Sequence, residues 1–160
     1  MLGQIYGRLN APSDRADGHW VAFDQREFFA DGSAYAHGLS DTGYAYIPGR
    51  CDSRTCRVHI AFHACRQNAD EVGDAFYRHG GYNRWADSND IIVLYPQTTT
   101  RYGWGFPFWT LNFVWNLYAC WDWWGYDGDD YPTRNGSQIK AVRAMLDRLA
   151  GARRDYPMAP

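Results

Sequence analysis

Six consecutive residues near the middle of the chain, Ile91-Ile92-Val93-Leu94-Tyr95-Pro96, form an unbroken apolar run. A strand with one face in water alternates apolar and polar residues, so a continuous run marks a strand covered on both faces. The chain must therefore lay material above and below this strand. Three further strands are predicted: Trp20 to Phe29 (WVAFDQREFF), Gly43 to Gly49 (GYAYIPG, stopped by its proline and glycine), and Arg57 to Phe62, where Val58, Ile60 and Phe62 alternate. Helical spacing appears twice. Asn68 and Glu71 are placed like a capping box ahead of Val72 and Phe76, with Gly80-Gly81 as an interruption and another turn or two over Tyr82 to Ser88. The last helix starts near Asn135 and presents Ile139, Val142, Leu146 and Leu149 as one apolar face before Gly151. Strand-strand-strand-helix-strand-helix reads as α/β with a partly parallel sheet of about four strands and two main helices. Residues 1–18 are rich in turn formers and read as loop; Thr98 to Tyr131 reads as a long irregular aromatic segment.

The chain has 160 residues, enough for one domain. Its 16 Lys+Arg against 18 Asp+Glu leave a net charge of −2, without the basic excess that neutralises phosphates, so nucleic acid is not an expected partner. No apolar run reaches the roughly 18–20 residues that cross a bilayer, so no membrane is expected either. Cys51, Cys56, Cys65 and Cys120 make an even count compatible with two bridges. Cys51–Cys56 closes the short polar loop CDSRTC, which leaves Cys65–Cys120; zinc held by Cys51, Cys56 and His59 or His63 is the rival reading. Disulfides favour an extracellular or periplasmic location. The N-terminal MLGQIYGRLNAPS has no basic stretch leading into an apolar one, so the expectation is a leader already removed or more protein ahead of this segment.

Four places could carry chemistry. The junction Phe62-His63-Ala64-Cys65-Arg66 follows a strand, where sites form beyond carboxyl ends and backbone N–H groups can hold an oxyanion; alternatively His63 merely closes the strand by hydrogen bonding. Cys120-Trp121-Asp122-Trp123-Trp124-Gly125-Tyr126 ends a stretch, residues 102–126, in which twelve of twenty-five positions are aromatic. That density suits an apolar wall for a ligand, or a loop packed by its own side chains. Asp122, Asp127, Asp129 and Asp130 lack the alternation of a calcium loop and read as a solvated acidic segment. Gly38-Leu39-Ser40-Asp41-Thr42 approaches the G-x-S-x-G nucleophile elbow, but Thr42 stands at the last glycine and a strand follows where a helix is needed. Ser40 is therefore a poor nucleophile candidate.

TGYAYIPGRC, CRVHIAFHACRQNADEVGDAF, GYNRWADSNDIIVLYPQ, ACWDWWGY and NGSQIKAVRAMLDRL occur in this order. The set resembles the C-terminal half of extracellular-type poly(3-hydroxybutyrate) depolymerases with a circularly permuted α/β-hydrolase fold, over about Thr42 to Leu149. The resemblance implies one half-domain over 1–160: a partial α/β-hydrolase sheet without the half that carries the serine elbow. It implies a serine-dependent carboxylic-ester hydrolase needing no cofactor or metal, in which Cys65 supplies a backbone N–H to the oxyanion hole. Trp123 would contact substrate, with Trp121 and His63 beside it, and Cys65 would be tied to Cys120. Ala64 departs from the family, which has Gly there. The implied partners are a polyester or hydroxy-ester substrate and a serine-bearing complementary half, or failing that self-association; the chain alone is expected to be inactive. A non-catalytic polymer-binding module presenting the aromatic loop is the alternative, and a feruloyl or short-chain esterase a further one.

Overall fold

The fold is seen in a computed structural model that describes residues 2–104 and 113–151. A four-stranded sheet runs in the order β1-β2-β4-β3, from β1 (His19–Asp24), β2 (Thr42–Ile47), β3 (Arg57–Ile60) and β4 (Ile91–Tyr95). β2 is antiparallel to β1 and β4, whereas β3 and β4 are parallel. The parallel pair needs a crossover, supplied by α2 (Ala69–Val72), α3 (Ala75–His79) and α4 (Tyr82–Asn89). β3 is left at the edge of the sheet.

Every residue of β4 is buried, as its apolar run requires. Its side chains feed two separate cores. Leu94 joins Phe29, Leu39, Ala45, Val142 and Met145 on the face covered by α5 (Ser137–Gly151). Ile91, Val93 and Tyr95 join Tyr46, Tyr77 and Ala86 beneath α3 and α4. Much of the aromatic content goes to this second core, where Tyr44 stacks on Tyr77 at 4.1 Å and Phe76 meets Tyr95 edge-on at 5.9 Å. The structure is thus mixed α/β.

Five local expectations are corrected. The first strand ends at Asp24, not Phe29, because the Asp24 carboxylate accepts the Arg26 N–H and starts a 3-10 turn over Gln25–Phe28. The helix after Asn68 breaks into α2 and α3 at Gly73, whose φ of +61° is a conformation that suits glycine. Its first N–H is taken by the Gln97 side chain rather than by Asn68. On α5 the inward face is Gln138, Ala141, Val142 and Met145, while Ile139 points out. Leu2–Tyr6, within the segment read as loop, form a short helix, α1.

The fifth correction concerns the aromatic segment, which contains a two-stranded hairpin, β5 (Arg101–Trp104) and β6 (Phe113–Asn116). Its intervening residues 105–112 lie outside the described set, as do three of the twelve clustered aromatics. Arg101, Val114 and Asn116 face inward, whereas Tyr102, Trp104, Phe113 and Trp115 face out. These four rings contact one another across the strands, with Tyr102 5.1 Å from Phe113 and 5.4 Å from Trp115.

Candidate functional site

β3 leads directly into the segment singled out in the sequence. Beyond Ile60 the chain makes one more sheet bond, Ala61 N–H to Leu94 C=O, then turns over Ala64–Gln67, closed by Gln67 N–H to Ala64 C=O at 3.1 Å. The turn's left-handed residue is Arg66, φ +60°, whose own N–H is held by the Tyr118 carbonyl. Ala64, where the resembling family has Gly, is not among the positive-φ residues, so its Cβ introduces no backbone strain. The Cys65–Cys120 disulfide fastens this turn to the segment after β6, and Cys51–Cys56 closes the CDSRTC loop. With all four sulfurs bonded in pairs, the rival zinc reading is overturned. Among the described residues, none accepts a hydrogen bond from the Cys65 N–H, and Cys65 is exposed.

His63 points into the body of the chain, toward Thr98. Its ring is buried and both nitrogens are engaged: Nδ1 with the Ala64 carbonyl at 2.8 Å, Nε2 with the Thr98 N–H at 3.1 Å. Burial, only partly offset by the Ala64 carbonyl, pulls the ring below the ordinary imidazole range, so it is neutral at pH 7. Both ring nitrogens are thus taken up by backbone partners.

Trp121 sits half-buried with its Nε1–H on the His63 carbonyl at 3.1 Å and its ring edge-on to Phe62 at 4.9 Å. Trp123 is 69% exposed and leans on Trp124. What holds Trp123 out is Asp122. Its Oδ1 accepts the N–H groups of Trp124, Gly125 and Tyr126, and its Oδ2 accepts that of Asp127 at 2.9 Å. The Asp122 N–H in turn donates to Gln138 Oε1, and Gln138 Nε2 donates to the His37 carbonyl and the Tyr126 hydroxyl. Gln138 faces inward on α5 for this purpose. The acidic segment is thus partly structural, and among the described residues no cluster of His, Cys, Asp or Glu is arranged to hold a metal ion.

A cleft of about 470 Å³ opens beside Phe62 and Trp121 and is also lined by Asp127, Tyr131, Ile139 and Val142. Neither Cys65 nor Trp123 lines it. The cleft and the Cys65 turn are therefore not one site; Trp121, which lines the cleft, reaches only as far as His63.

His37, unremarked in the sequence, clamps the same loop. Its Nδ1 lies 2.9 Å from Asp127 and its Nε2 3.3 Å from Asp31, with Phe29 stacked on the ring at 4.6 Å. Burial alone would lower its pKa, but the bonds and charges of Asp127 and then Asp31 outweigh that and raise it. A raised folded-state value means that the clamp stabilises fully below the ordinary imidazole range and is lost as pH rises through the raised value. His59 and His63, both lowered by burial, act in the opposite sense, so the clamp is read by difference: in urea unfolding His37→Gln is expected to cost more stability at pH 5.5 than at pH 8.5. An equal cost at the two pH values would remove His37 from the account.

No family model matches the chain. It is 39% identical over 155 residues to a poly(3-hydroxybutyrate) depolymerase of Delftia acidovorans, covering 94% of this chain and 28% of that protein. It is 36% identical over 157 residues to a polyhydroxybutyrate depolymerase of Talaromyces funiculosus, covering 92% of this chain and 43% of the relative. Among solved structures, a serine-to-alanine variant of PHB depolymerase complexed with an R3HB trimer superposes with a TM-score of 0.77 at 32% identity, over 92% of this chain and 45% of that one. The crystal structure of PHB depolymerase from Penicillium funiculosum gives 0.76 at 31% identity, covering 91% and 45%. The chain thus spans less than half the length of each. In sequence and in fold it resembles a part of the poly(3-hydroxybutyrate) depolymerases.

Proposed function

We propose that the chain is the oxyanion-donating and substrate-binding part of a carboxylic-ester hydrolase acting on poly(3-hydroxyalkanoate), within a circularly permuted α/β-hydrolase fold. The observation that carries this is the Cys65 N–H: an amide without a described acceptor, on a tight turn at the carboxyl end of a strand, fixed by a disulfide. Such a donor stabilises negative charge that develops on an ester oxygen in the transition state. By resemblance, a serine on a complementary segment attacks the carbonyl carbon and passes its proton to a histidine that an aspartate orients. The carbonyl π electrons move onto oxygen, and the Cys65 N–H donates a hydrogen bond to the oxyanion so formed. Collapse expels the alcohol end of the polymer, protonated by that histidine, and water then releases the acyl group by the same steps. Trp123 adds apolar area for the hydroxyacyl unit without adding charge. The relatives' names support the substrate class, and the disulfides support an extracellular or periplasmic location.

The edge of β3 supports the need for a complement. Among the described residues no strand pairs its outer side, beside the half-buried Val58 and Ile60. An unpaired edge next to apolar side chains is a template for another strand. The test is p-nitrophenyl butyrate hydrolysis together with light scattering, on the chain with and without a serine-bearing complement. We expect no turnover by the chain alone and turnover on complementation; a monodisperse, active monomer would overturn the reading. In the complemented protein Trp123→Ala should weaken polyester binding at least about tenfold, about 1.4 kcal/mol, with Trp104→Ala far milder. The hairpin's four exposed rings favour a second reading, a polymer-binding module. That reading predicts film binding by the uncomplemented chain, lost on replacing Trp115 and Tyr102 rather than Trp123.

A further inference from the structure

We propose that His63 is the positioning residue of the oxyanion donor: it holds the Ala64 carbonyl and thereby aims the Cys65 N–H. This rests on the reading of that N–H given above, and it moves His63 from the substrate to the scaffold.

The C=O of Ala64 and the N–H of Cys65 belong to one peptide unit. In a trans peptide the two point in opposite directions within one plane. Whatever fixes the carbonyl therefore fixes the direction of the amide. Two donors reach the Ala64 oxygen, the Gln67 N–H at 3.1 Å and His63 Nδ1 at 2.8 Å. One bond alone would let the plane rock about the line joining donor and oxygen. The second, arriving from a side chain outside the turn, removes that freedom.

The choice of histidine follows from what lies at each nitrogen. A carbonyl oxygen only accepts, so Nδ1 must carry the proton. A backbone N–H only donates, so Nε2, facing the Thr98 N–H, must be bare. The Thr98 hydroxyl is itself directed to the Ala119 carbonyl. The tautomer is therefore set from both ends, and the ring is a rigid spacer from the segment after β4 to the turn after β3. The surroundings keep it still. Trp121 and Phe76 lie 5.7 and 6.0 Å from the ring, and Trp121 Nε1–H holds the residue's own carbonyl. Protonation would place a second N–H against Thr98 and break the spacer, which fits a ring that is buried and neutral. Thr98 is fully buried and bridged to Leu39, so the far end of the spacer is anchored in the core.

Two measurements separate this role from the hydrolase reading. On the ¹⁵N-labelled chain at pH 7, long-range imidazole spectra are expected to show His63 with Nδ1 protonated and Nε2 accepting. His63→Asn, which returns an amide N–H to the Nδ1 position, should leave the Cys65 amide resonance sharp and near its original shift. His63→Leu should move or broaden it while the near-ultraviolet circular dichroism stays. In the serine-complemented protein, His63→Leu should lower kcat about 10²-fold, the scale of a lost oxyanion donor, with KM within about twofold, and His63→Asn should recover most of it. A proton on Nε2, or Asn and Leu variants alike in their Cys65 amide, would overturn the positioning role, and the tautomer decides the matter even if the Leu variant does not fold. A correct tautomer and a responsive Cys65 amide in a complemented protein without esterase activity would leave the positioning intact and refute the hydrolase reading instead.

Discussion

Replacing Cys65 and Cys120 by serine is expected to cost the folded chain about 4 kcal/mol, against about 2 kcal/mol for the Cys51 and Cys56 pair. The difference lies in the unfolded state. A cross-link removes loop entropy in proportion to the logarithm of the loop length, and the two bridges span 55 and 5 residues. The native contacts decide what the long bridge transmits. Cys120 is fixed to β6 by a reciprocal pair with Asn116, whose amide nitrogen donates to the Cys120 carbonyl and whose amide oxygen accepts the Cys120 N–H, each at 2.9 Å. The long bridge transmits that anchorage to the turn holding Ala64 and Cys65. Short-loop serine variants should therefore keep the Cys65 amide environment, and long-loop variants should lose it. Urea unfolding of both double-serine variants checks the magnitudes. Equal midpoints would show that the long bridge adds no constraint that β3 and the hairpin do not already impose.

The parts of this architecture that were legible in the sequence are those where one local pattern dominates. Ile91–Tyr95 has no polar face to misplace, and the Val58–Ile60 alternation leads straight to the turn with Ala64 and Cys65. The hairpin was hidden because its polarity is inverted. Arg101 and Asn116 turn inward to tie the strands to the body, and the aromatics turn out, so alternation points the wrong way. Arg101 is kept inside by the carbonyls of Ala36, Tyr102 and Trp104 and by the ring of Tyr35, partners that include a segment some 65 residues away. The same holds for Gln138. An inward glutamine displaces the apolar face of α5 and leaves Ile139 in the open, and its partners lie on two other segments. His37 and Asp127 meet across 90 residues. On spacing His63 reads first as a strand-closing hydrogen-bonder, and only the family resemblance sets it beside the substrate. Its hydrogen bonding supports the first, and through the peptide plane this gives it a bearing on the second.

Asp122→Ala is expected to lower stability by about 3 kcal/mol and to release Trp123 from its fixed presentation. One carboxylate here satisfies four successive backbone donors, from Trp124, Gly125, Tyr126 and Asp127. Hydrogen bonds to a charged group contribute about 1.5–3 kcal/mol each when buried, and those at the exposed Trp124 end contribute less because water can replace them. The Tyr126 end is where the loss falls. Tyr126 is buried against Gly38, which has φ +74° and no room for a Cβ beside the tyrosine hydroxyl, so this end of the loop has no alternative seat. Asp122→Asn separates charge from shape. An Asn oxygen at the Oδ1 position keeps the three N–H groups of Trp124, Gly125 and Tyr126, while its NH2 faces the Asp127 N–H, donor against donor. Its cost should be about half that of Ala. If Trp123 acts through a held position, polyester binding by the complemented protein should fall in the order wild type, Asn, Ala, alongside growing mobility of the Trp123 indole in nitrogen relaxation. Binding that falls in the Ala variant without any change in indole mobility would separate Asp122 from Trp123 and leave the carboxylate as a fold element alone.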